Sequence, residues 1–255
     1  MRPMTDQILE KLKGVARALS PRPQLEAAKK SDAASNPAAT VVPEETFEPP
    51  QTPPQLRPEH VAGARLCADR YELIKSLKVP EHPAVAELGV AFGEFSRFLI
   101  EQLHPKLFHA YDIFPFHDFP VIWGRSTAEV FKGLTHRQFY EKQFGAEIAS
   151  GQMEVFDGDG ATNLAERPDG FYDVIYIDGD HRYAWVLRDA KAAAAKLKPG
   201  GFLIFNDYIL YDHIARTPYG IVPVVNDLCV NHGWKITHFA LQQHMFCDVA
   251  IRRHE

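Results

Sequence analysis

From Ala84 onward the chain alternates short apolar runs with segments of helical period, and this alternation limits the fold more than any other feature. The runs Ala84–Leu88, Leu107–Asp112, Met153–Phe156, Tyr172–Ile177, Phe202–Phe205, Trp234–Phe239 and Phe246–Ile251 read as strands. Most are separated by helical patterns at Gly93–Leu103, Thr135–Ser150, Tyr183–Leu197 and Ile221–Asn231, and a further helix is expected over Val61–Leu77. Strands that alternate with helices pair in parallel through right-handed crossovers, which puts helices on both faces of the sheet. The expectation is an α/β, Rossmann-like fold with a mostly parallel seven-stranded sheet. Its last two strands, joined by the short polar segment Ala240–His244, read as an antiparallel hairpin.

The N-terminal part has a different character. Ten of the 19 prolines fall within the first 58 residues, and residues 20–58 carry almost no large apolar side chains. Such a segment cannot bury enough surface to offset its ordering entropy, so 20–58 reads as a flexible linker. Before it, Ile8, Leu12, Val15 and Leu19 recur at helical spacing, so residues 1–19 read as an amphipathic helix. That helix could dock on a protein partner, a membrane surface or its own domain, and self-association of the chain stays open. Residues 59–255 are expected to form the one folded domain. A net charge of −5 shows no basic footprint for nucleic acid. No stretch approaches the roughly 20 apolar residues that span a bilayer, and the N-terminus lacks a secretory pattern. Three widely spaced cysteines, Cys67, Cys229 and Cys247, read as free thiols. The expected location is the cytoplasm.

In open α/β sheets, ligands bind beyond the carboxyl ends of the strands, so the residues after each run are the ones to inspect. The first run leads into Glu87-Leu-Gly89-Val-Ala-Phe-Gly93, where glycines permit close backbone approach and the next helix offers its first amides. Ala91 stands where a dinucleotide fingerprint has its second glycine. The second run ends on Asp112, 25 residues after Glu87, where a carboxylate can accept from both ribose hydroxyls. A nicotinamide-dependent oxidoreductase shares these two features. Asp159, after the third run, could hold an adenine amine or serve as a turn aspartate.

The densest chemistry lies in Tyr176-Ile-Asp178-Gly-Asp180-His181 and, after a helix, Lys198-Pro-Gly-Gly-Phe-Leu-Ile-Phe-Asn206-Asp207-Tyr208. Asp178 and Asp207 with the neutral oxygen of Asn206 form a hard donor set suited to Mg²⁺. Direct use of these carboxylates on a cofactor or substrate is the alternative. His181 has the intrinsic pKa of a general base. Asp180 is expected to cap the helix that follows.

Together these residues resemble a known family. From Ala84 to Arg252 the chain resembles class I S-adenosylmethionine-dependent methyltransferases, in the macrocin O-methyltransferase and cephalosporin-hydroxylase-like group (methyltransferase family 24 type). The resemblance rests on Glu87-Leu-Gly-Val with Gly93, Tyr111-Asp112-Ile-Phe114, Ile177-Asp-Gly-Asp-His181, and Pro199-Gly-Gly201 leading to Asn206-Asp-Tyr208. It implies cofactor contact by Glu87, Gly89, Gly93 and Asp178, ribose contact by Asp112 and adenine contact near Asp159. In metal-dependent members an acidic pair joins the fourth-strand aspartate around Mg²⁺; here that pair reads Asn206-Asp207. By analogy with the catechol type, His181 stands at the offset of the catalytic lysine. Transfer to a small-molecule or sugar hydroxyl follows as the expected activity. A non-catalytic methyltransferase-like binding module is a further alternative.

Between Asp112 and Met153 lie 40 residues, more than one crossover helix needs. Phe114, Phe116, Phe119 and Trp123 cluster there with His117 and Asp118. They suit a substrate lid or an aromatic satellite core. Tyr208–Tyr219, with Asp212, His213 and Arg216, is a second candidate wall of a substrate site.

Overall fold

The structure, a computed structural model, describes residues 48–254. The amphipathic helix expected over 1–19 and the linker up to residue 47 lie outside the described residues. One eight-stranded sheet forms the centre. Its strands are β1 (Arg65–Cys67), β2 (Ala84–Leu88), β3 (Leu107–Asp112), β6 (Met153–Asp157), β7 (Tyr172–Ile177), β8 (Leu197–Phe205), β11 (Trp234–Ala240) and β12 (Asp248–Arg253). They lie in the order β1-β11-β12-β8-β7-β2-β3-β6. Only the pairings of β12 are antiparallel, so β11 and β12 form the expected hairpin within a mostly parallel sheet. Two small hairpins lie outside this sheet: β4 (Val121–Ile122) with β5 (Arg125–Ser126), and β9 (Tyr211–Asp212) with β10 (Thr217–Pro218).

The eighth strand is a correction. The helix expected over Val61–Leu77 is instead α1 (Pro58–Val61), the edge strand β1 and α2 (Arg70–Ser76). Gly63 at φ +77° interrupts the helical path. Asp69 then restarts it, its side chain accepting from the Glu72 amide at 2.8 Å. The freed segment Arg65–Cys67 adds in parallel to β11. The remaining helices are α3 (Glu94–Leu103), α4 (Thr127–Phe131), α5 (His136–Gln143), α6 (Gly145–Ala149), α7 (Gly160–Ala165), α8 (Tyr183–Lys196) and α9 (Ile221–Asn231). The single helix expected over 135–150 is thus split into α5 and α6, with a non-helical residue, Phe144, at the joint.

All five residues of β2 are buried because both faces of the sheet are covered. Ala84, Ala86 and Leu88 join the core that includes Val186 and Ala190 of α8 and Val224 and Leu228 of α9. Val85 joins the opposite core with Leu73 and Ile74 of α2 and Leu99 and Ile100 of α3. The two-residue period of the strand decides which side chain serves which core.

Two consequences of the topology position the site. From β2 the chain moves outward through β3 to β6, then returns to place β7 on the other side of β2. The order reverses between β2 and β7, and in open sheets the carboxyl ends at such a switch point form the ligand crevice. Register also aligns Glu87 with Tyr176, Tyr176 with Ile204, and Ile204 with Ala250. By the two-residue period, Glu87, Tyr176, Asn206 and Asp248 therefore occupy one face, the side covered by α2 and α3.

Candidate functional site

The loop from Gly89 to Gly93 crosses the head of the crevice with three left-handed residues in five: Gly89 at φ +84°, Ala91 at +47° and Gly93 at +86°. At Gly89 the requirement is also one of space. A Cβ there would lie 2.2 Å from the Asp178 carbonyl oxygen and 2.8 Å from the Gly179 amide nitrogen. The ends of β2 and β7 can close together only because this residue has no side chain. At Gly93 a Cβ would press on the rings of Phe144 and Tyr140 at 3.0 and 3.2 Å.

Asp112, at the end of β3, leans into this loop. Its carboxylate accepts from the Val90 amide at 2.8 Å and from the Phe114 amide at 2.6 Å, and burial raises its pKa. Beneath it lies fully buried His136, at the start of α5. His136 Nε2 donates to the Ala91 carbonyl at 2.5 Å, and its ring stacks on Phe116 with centroids 4.6 Å apart. Burial lowers the His136 pKa, with Asp112 opposing the fall. The neutral ring thereby ties the loop to the segment after β3.

The α2/α3 face carries a buried polar row. Glu87 accepts from the Ser96 hydroxyl at 2.5 Å, and that hydroxyl accepts from Tyr140 at 2.9 Å. Burial pushes the Glu87 carboxyl up to about 8, so it holds its proton at neutral pH. Tyr176 donates to Asp248 at 2.6 Å, and Asn206 and Gln242 donate to the other Asp248 oxygen at 3.1 and 2.9 Å. Asp248 is fully buried, which pushes its carboxyl up to about 6. Above this row stands Arg70, the first residue of α2. Its Nη1 lies 3.4 Å from the Tyr176 hydroxyl and 3.9 Å from Asp178, and its guanidinium covers the Phe95 ring at 4.3 Å.

At the carboxyl ends of β7 and β8, His181 is 4% exposed and lies between two carboxylates. Its Nε2 is 3.5 Å from Asp178 and its Nδ1 is 3.8 Å from Asp207, while Tyr219 covers the ring at 4.6 Å. The expected metal set is not assembled. Asn206 turns its amide into the buried row toward Asp248, whereas Asp207, left-handed at φ +54°, turns toward His181. Among the described residues no three His, Cys, Asp or Glu side chains are arranged to hold a metal ion. The Asn206 amide nitrogen donates to buried Asp248, which fixes the side chain but leaves its Oδ1, the atom a hard cation would use, outside that bond. Asp180 is a second correction: the helix starts at Tyr183, with Arg182 as its cap. Asp180 instead accepts from the Arg182 amide at 2.9 Å and pairs with the Arg182 guanidinium at 2.6 Å.

Asp159 is the side-chain cap of α7, accepting from the Thr162 amide at 2.9 Å, and it also pairs with Arg188 of α8 at 2.9 Å. Burial works against its charge, but Thr162 and Arg188 outweigh this and lower its pKa. Its neighbour Asp189 is buried between two turns: Cβ atoms at Gly179 and Gly160 would lie 3.5 and 3.8 Å from its carboxyl oxygens. That burial pushes the carboxyl up to about 7. The aromatic segment after β3 is a packed satellite cluster. Phe92 of the glycine loop meets Phe116, Trp123 and Phe131 with centroids 5.4, 5.7 and 5.9 Å apart. In the other wall, Asp212 caps its own turn through the Ile214 and Ala215 amides, both at 2.8 Å. His213 stacks on Phe246.

Of the residues singled out from the sequence, Gly89, Asp112, Asp178, His181 and Asp207 lie at the carboxyl ends of β2, β3, β7 and β8, with Gly89 against Asp178 and His181 between Asp178 and Asp207. Sequence reading missed His136, Arg70, Tyr176, Asp248 and Asp189. Asp248 and Tyr176 had a signal: polar groups at inward positions of apolar runs need a partner. Arg70 had none, since helix position says nothing about which strand ends it will cover.

Residues 86–208 match the family model described as a methyltransferase domain. Among solved structures, one from Staphylococcus aureus described as a caffeoyl-CoA O-methyltransferase shares 16% identity at TM-score 0.51. The match covers 72% of this chain and 82% of that one. A Corynebacterium glutamicum protein shares 11% identity at TM-score 0.52, over 73% and 81% of the two chains. An O-methyltransferase family protein from Burkholderia thailandensis aligns at 15% identity and TM-score 0.49, covering 73% of this chain. This chain spans 55% of that protein's length. Identities this low speak for the fold alone, which is the Rossmann-like methyltransferase fold. A search of curated proteins found no match.

Proposed function

We propose that the protein is an S-adenosylmethionine-dependent methyltransferase acting on an oxygen nucleophile, a hydroxyl of a small molecule or sugar, with His181 as general base. The observation that carries this reading is the imidazole held between Asp178 and Asp207 at the carboxyl ends of β7 and β8. A hydroxyl must lose a proton as it is methylated, whereas a neutral amine attacks through a lone pair it already has. An imidazole that accepts this proton becomes cationic, and two carboxylates within 4 Å stabilise that charge. The match over residues 86–208 supports the cofactor class.

When bound, S-adenosylmethionine supplies an electrophilic methyl group on a sulfonium sulfur. The chain's own part is to orient the reactants and handle one proton. The Gly89–Gly93 loop and Asp112 line the crevice, with Asp112 near enough to the loop amides to brace them and to offer ribose an acceptor. Glu87 is too deeply buried to touch a ligand in this state and braces α3 through Ser96. Asp178 orients His181. Among the described residues Asp159 Oδ2 accepts only from Arg188, at 3.3 Å, so this carboxylate keeps acceptor capacity for an adenine amine. The aromatic cluster on Phe92 serves as a fixed wall of the acceptor site. Three buried free thiols fit residence in the cytoplasm.

Calorimetric titration with S-adenosylmethionine, S-adenosylhomocysteine and NAD, each with and without Mg²⁺, tests the reading. Binding of the two sulfur nucleosides, unchanged by Mg²⁺, is expected. Binding of NAD alone would return the oxidoreductase alternative, and binding of none would favour a non-catalytic module. Radiolabelled methyl transfer to a panel of hydroxylated compounds and matched amines then separates oxygen from nitrogen acceptors.

A further inference from the structure

We infer that Arg70 and Asp178 form a paired subsite for the α-amino-carboxylate end of the cofactor, Arg70 taking the carboxylate and Asp178 the ammonium. This rests on the methyltransferase reading above and assigns a role to a residue outside the motif-bearing segments.

A guanidinium has five N–H donors in a planar fork. Among the described residues Arg70 uses one, Nη1, which donates to the Tyr176 hydroxyl at 3.4 Å. The Asp178 carboxylate is 3.9 Å from the same nitrogen, attractive but beyond hydrogen-bond length. Both side chains remain about a quarter exposed, 25% for Arg70 and 24% for Asp178. A cation and an anion thus stand side by side, unbonded, at the mouth of the crevice. Surface mobility does not explain the arrangement. Arg70 is fixed on three sides: by Phe95 beneath the guanidinium, by the Tyr176–Asp248 pair, and by its own backbone amide, which donates to Gln242 at 3.3 Å.

Location narrows the ligand. The carbonyl of Asp178 is the group that a Gly89 side chain would strike, so the pair opens directly onto the glycine loop. On the other side of Asp178 stands His181. Asp178 thus lies between the glycine loop that Asp112 braces and His181. A group with one negative and one positive end a few ångströms apart matches this pair charge for charge. An α-amino acid moiety has that form, whereas a phosphate or a simple carboxylate would leave Asp178 repelled. The fork of Arg70 can then bind the carboxylate in bidentate fashion with donors that make no other hydrogen bond among the described residues.

The test compares the full-length wild-type chain with Arg70→Gln and Arg70→Lys by calorimetry. The probes are S-adenosylhomocysteine and 5′-methylthioadenosine, which has the nucleoside and sulfur but no amino-carboxylate. Arg70→Gln is expected to weaken S-adenosylhomocysteine by about 10- to 100-fold, the loss of a charge-assisted hydrogen bond. Its affinity for methylthioadenosine is expected to stay within about 2-fold. Arg70→Lys keeps the charge without the fork and should fall between, which keeps the test alive if Arg70→Gln does not fold. Equal weakening of both probes, or weakening of neither, overturns the inference and leaves the methyltransferase reading standing. Failure of the wild type to bind either probe overturns that reading as well.

Discussion

Replacing Gly89 by alanine is the sharpest test of how the crevice is built. Two costs act there, and a second glycine separates them. Gly89 and Gly63 have nearly the same left-handed φ, +84° and +77°. An alanine in this left-handed region costs about 1–2 kcal/mol, partly offset by about 0.4–1 kcal/mol from a stiffer unfolded chain. At Gly63 nothing lies within 4 Å of the new methyl group, so Gly63→Ala should cost about 1 kcal/mol or less. At Gly89 the methyl would meet the Asp178 carbonyl oxygen at 2.2 Å, with its carbon at 2.6 Å. These are backbone atoms and cannot rotate aside, so the ends of β2 and β7 must part. Parting them weakens the bond from the Asp178 amide to the Leu88 carbonyl, now 2.7 Å, in a fully packed region. Overpacking costs about 1–3 kcal/mol and a strained buried hydrogen bond a further 1–3. With the backbone term, Gly89→Ala should lose roughly 3–6 kcal/mol, a large share of the 5–15 kcal/mol typical of a domain. Urea denaturation followed by tryptophan fluorescence measures both variants against wild type. The midpoint of Gly89→Ala should fall steeply with an unchanged slope. If it lies within about 1 kcal/mol of Gly63→Ala, the close approach of β2 to β7 is not what demands glycine.

Three further outcomes are expected. Glu87 has a folded pKa near 8, against 4.5 for the free side chain. The folded state therefore keeps a proton that the unfolded chain gives up, and stability declines as pH rises from about 4.5 through 8. Glu87→Gln should flatten the stability curve across that window, and a decline parallel to wild type in pH-resolved denaturation would rule out Glu87 as its source. Asp112→Ala should weaken S-adenosylhomocysteine at least about 10-fold by loss of a ribose acceptor and of the Val90 amide brace. Unchanged affinity would remove Asp112 from the cofactor site. His181→Asn should lower methyl transfer to a hydroxyl acceptor by about 10²–10⁴-fold while cofactor affinity stays within a few-fold. Retained transfer at high pH only would still fit a base, whereas retained transfer at every pH would exclude one.

The alternation of apolar runs and helical segments was enough to read an α/β sheet, and five of its strands and three of its helices lie within a residue of their expected bounds. Periodicity records burial directly, so Tyr172–Ile177 and Ile221–Asn231 appear at the very residues expected. Local chemistry also carried Gly89, Asp112, Asp178 and His181, since strand ends and glycine turns are local events. Other features were not local. Whether Val61–Leu77 stays helical depends on an edge of β11 that lies about 170 residues away, and pairing with it won over a weak helical pattern. That the Asn206 amide donates to a buried aspartate is decided by its register with Asp248, across an antiparallel pair that no spacing rule near Asn206 reveals. Arg70 enters the crevice only because α2 packs on α3 beside the end of β7. A residue's chemistry is written in its own side chain, but its partner is chosen by pairing and packing between distant segments. Composition and order could therefore say what groups this crevice would contain, and only the folded sheet could say which of them face each other.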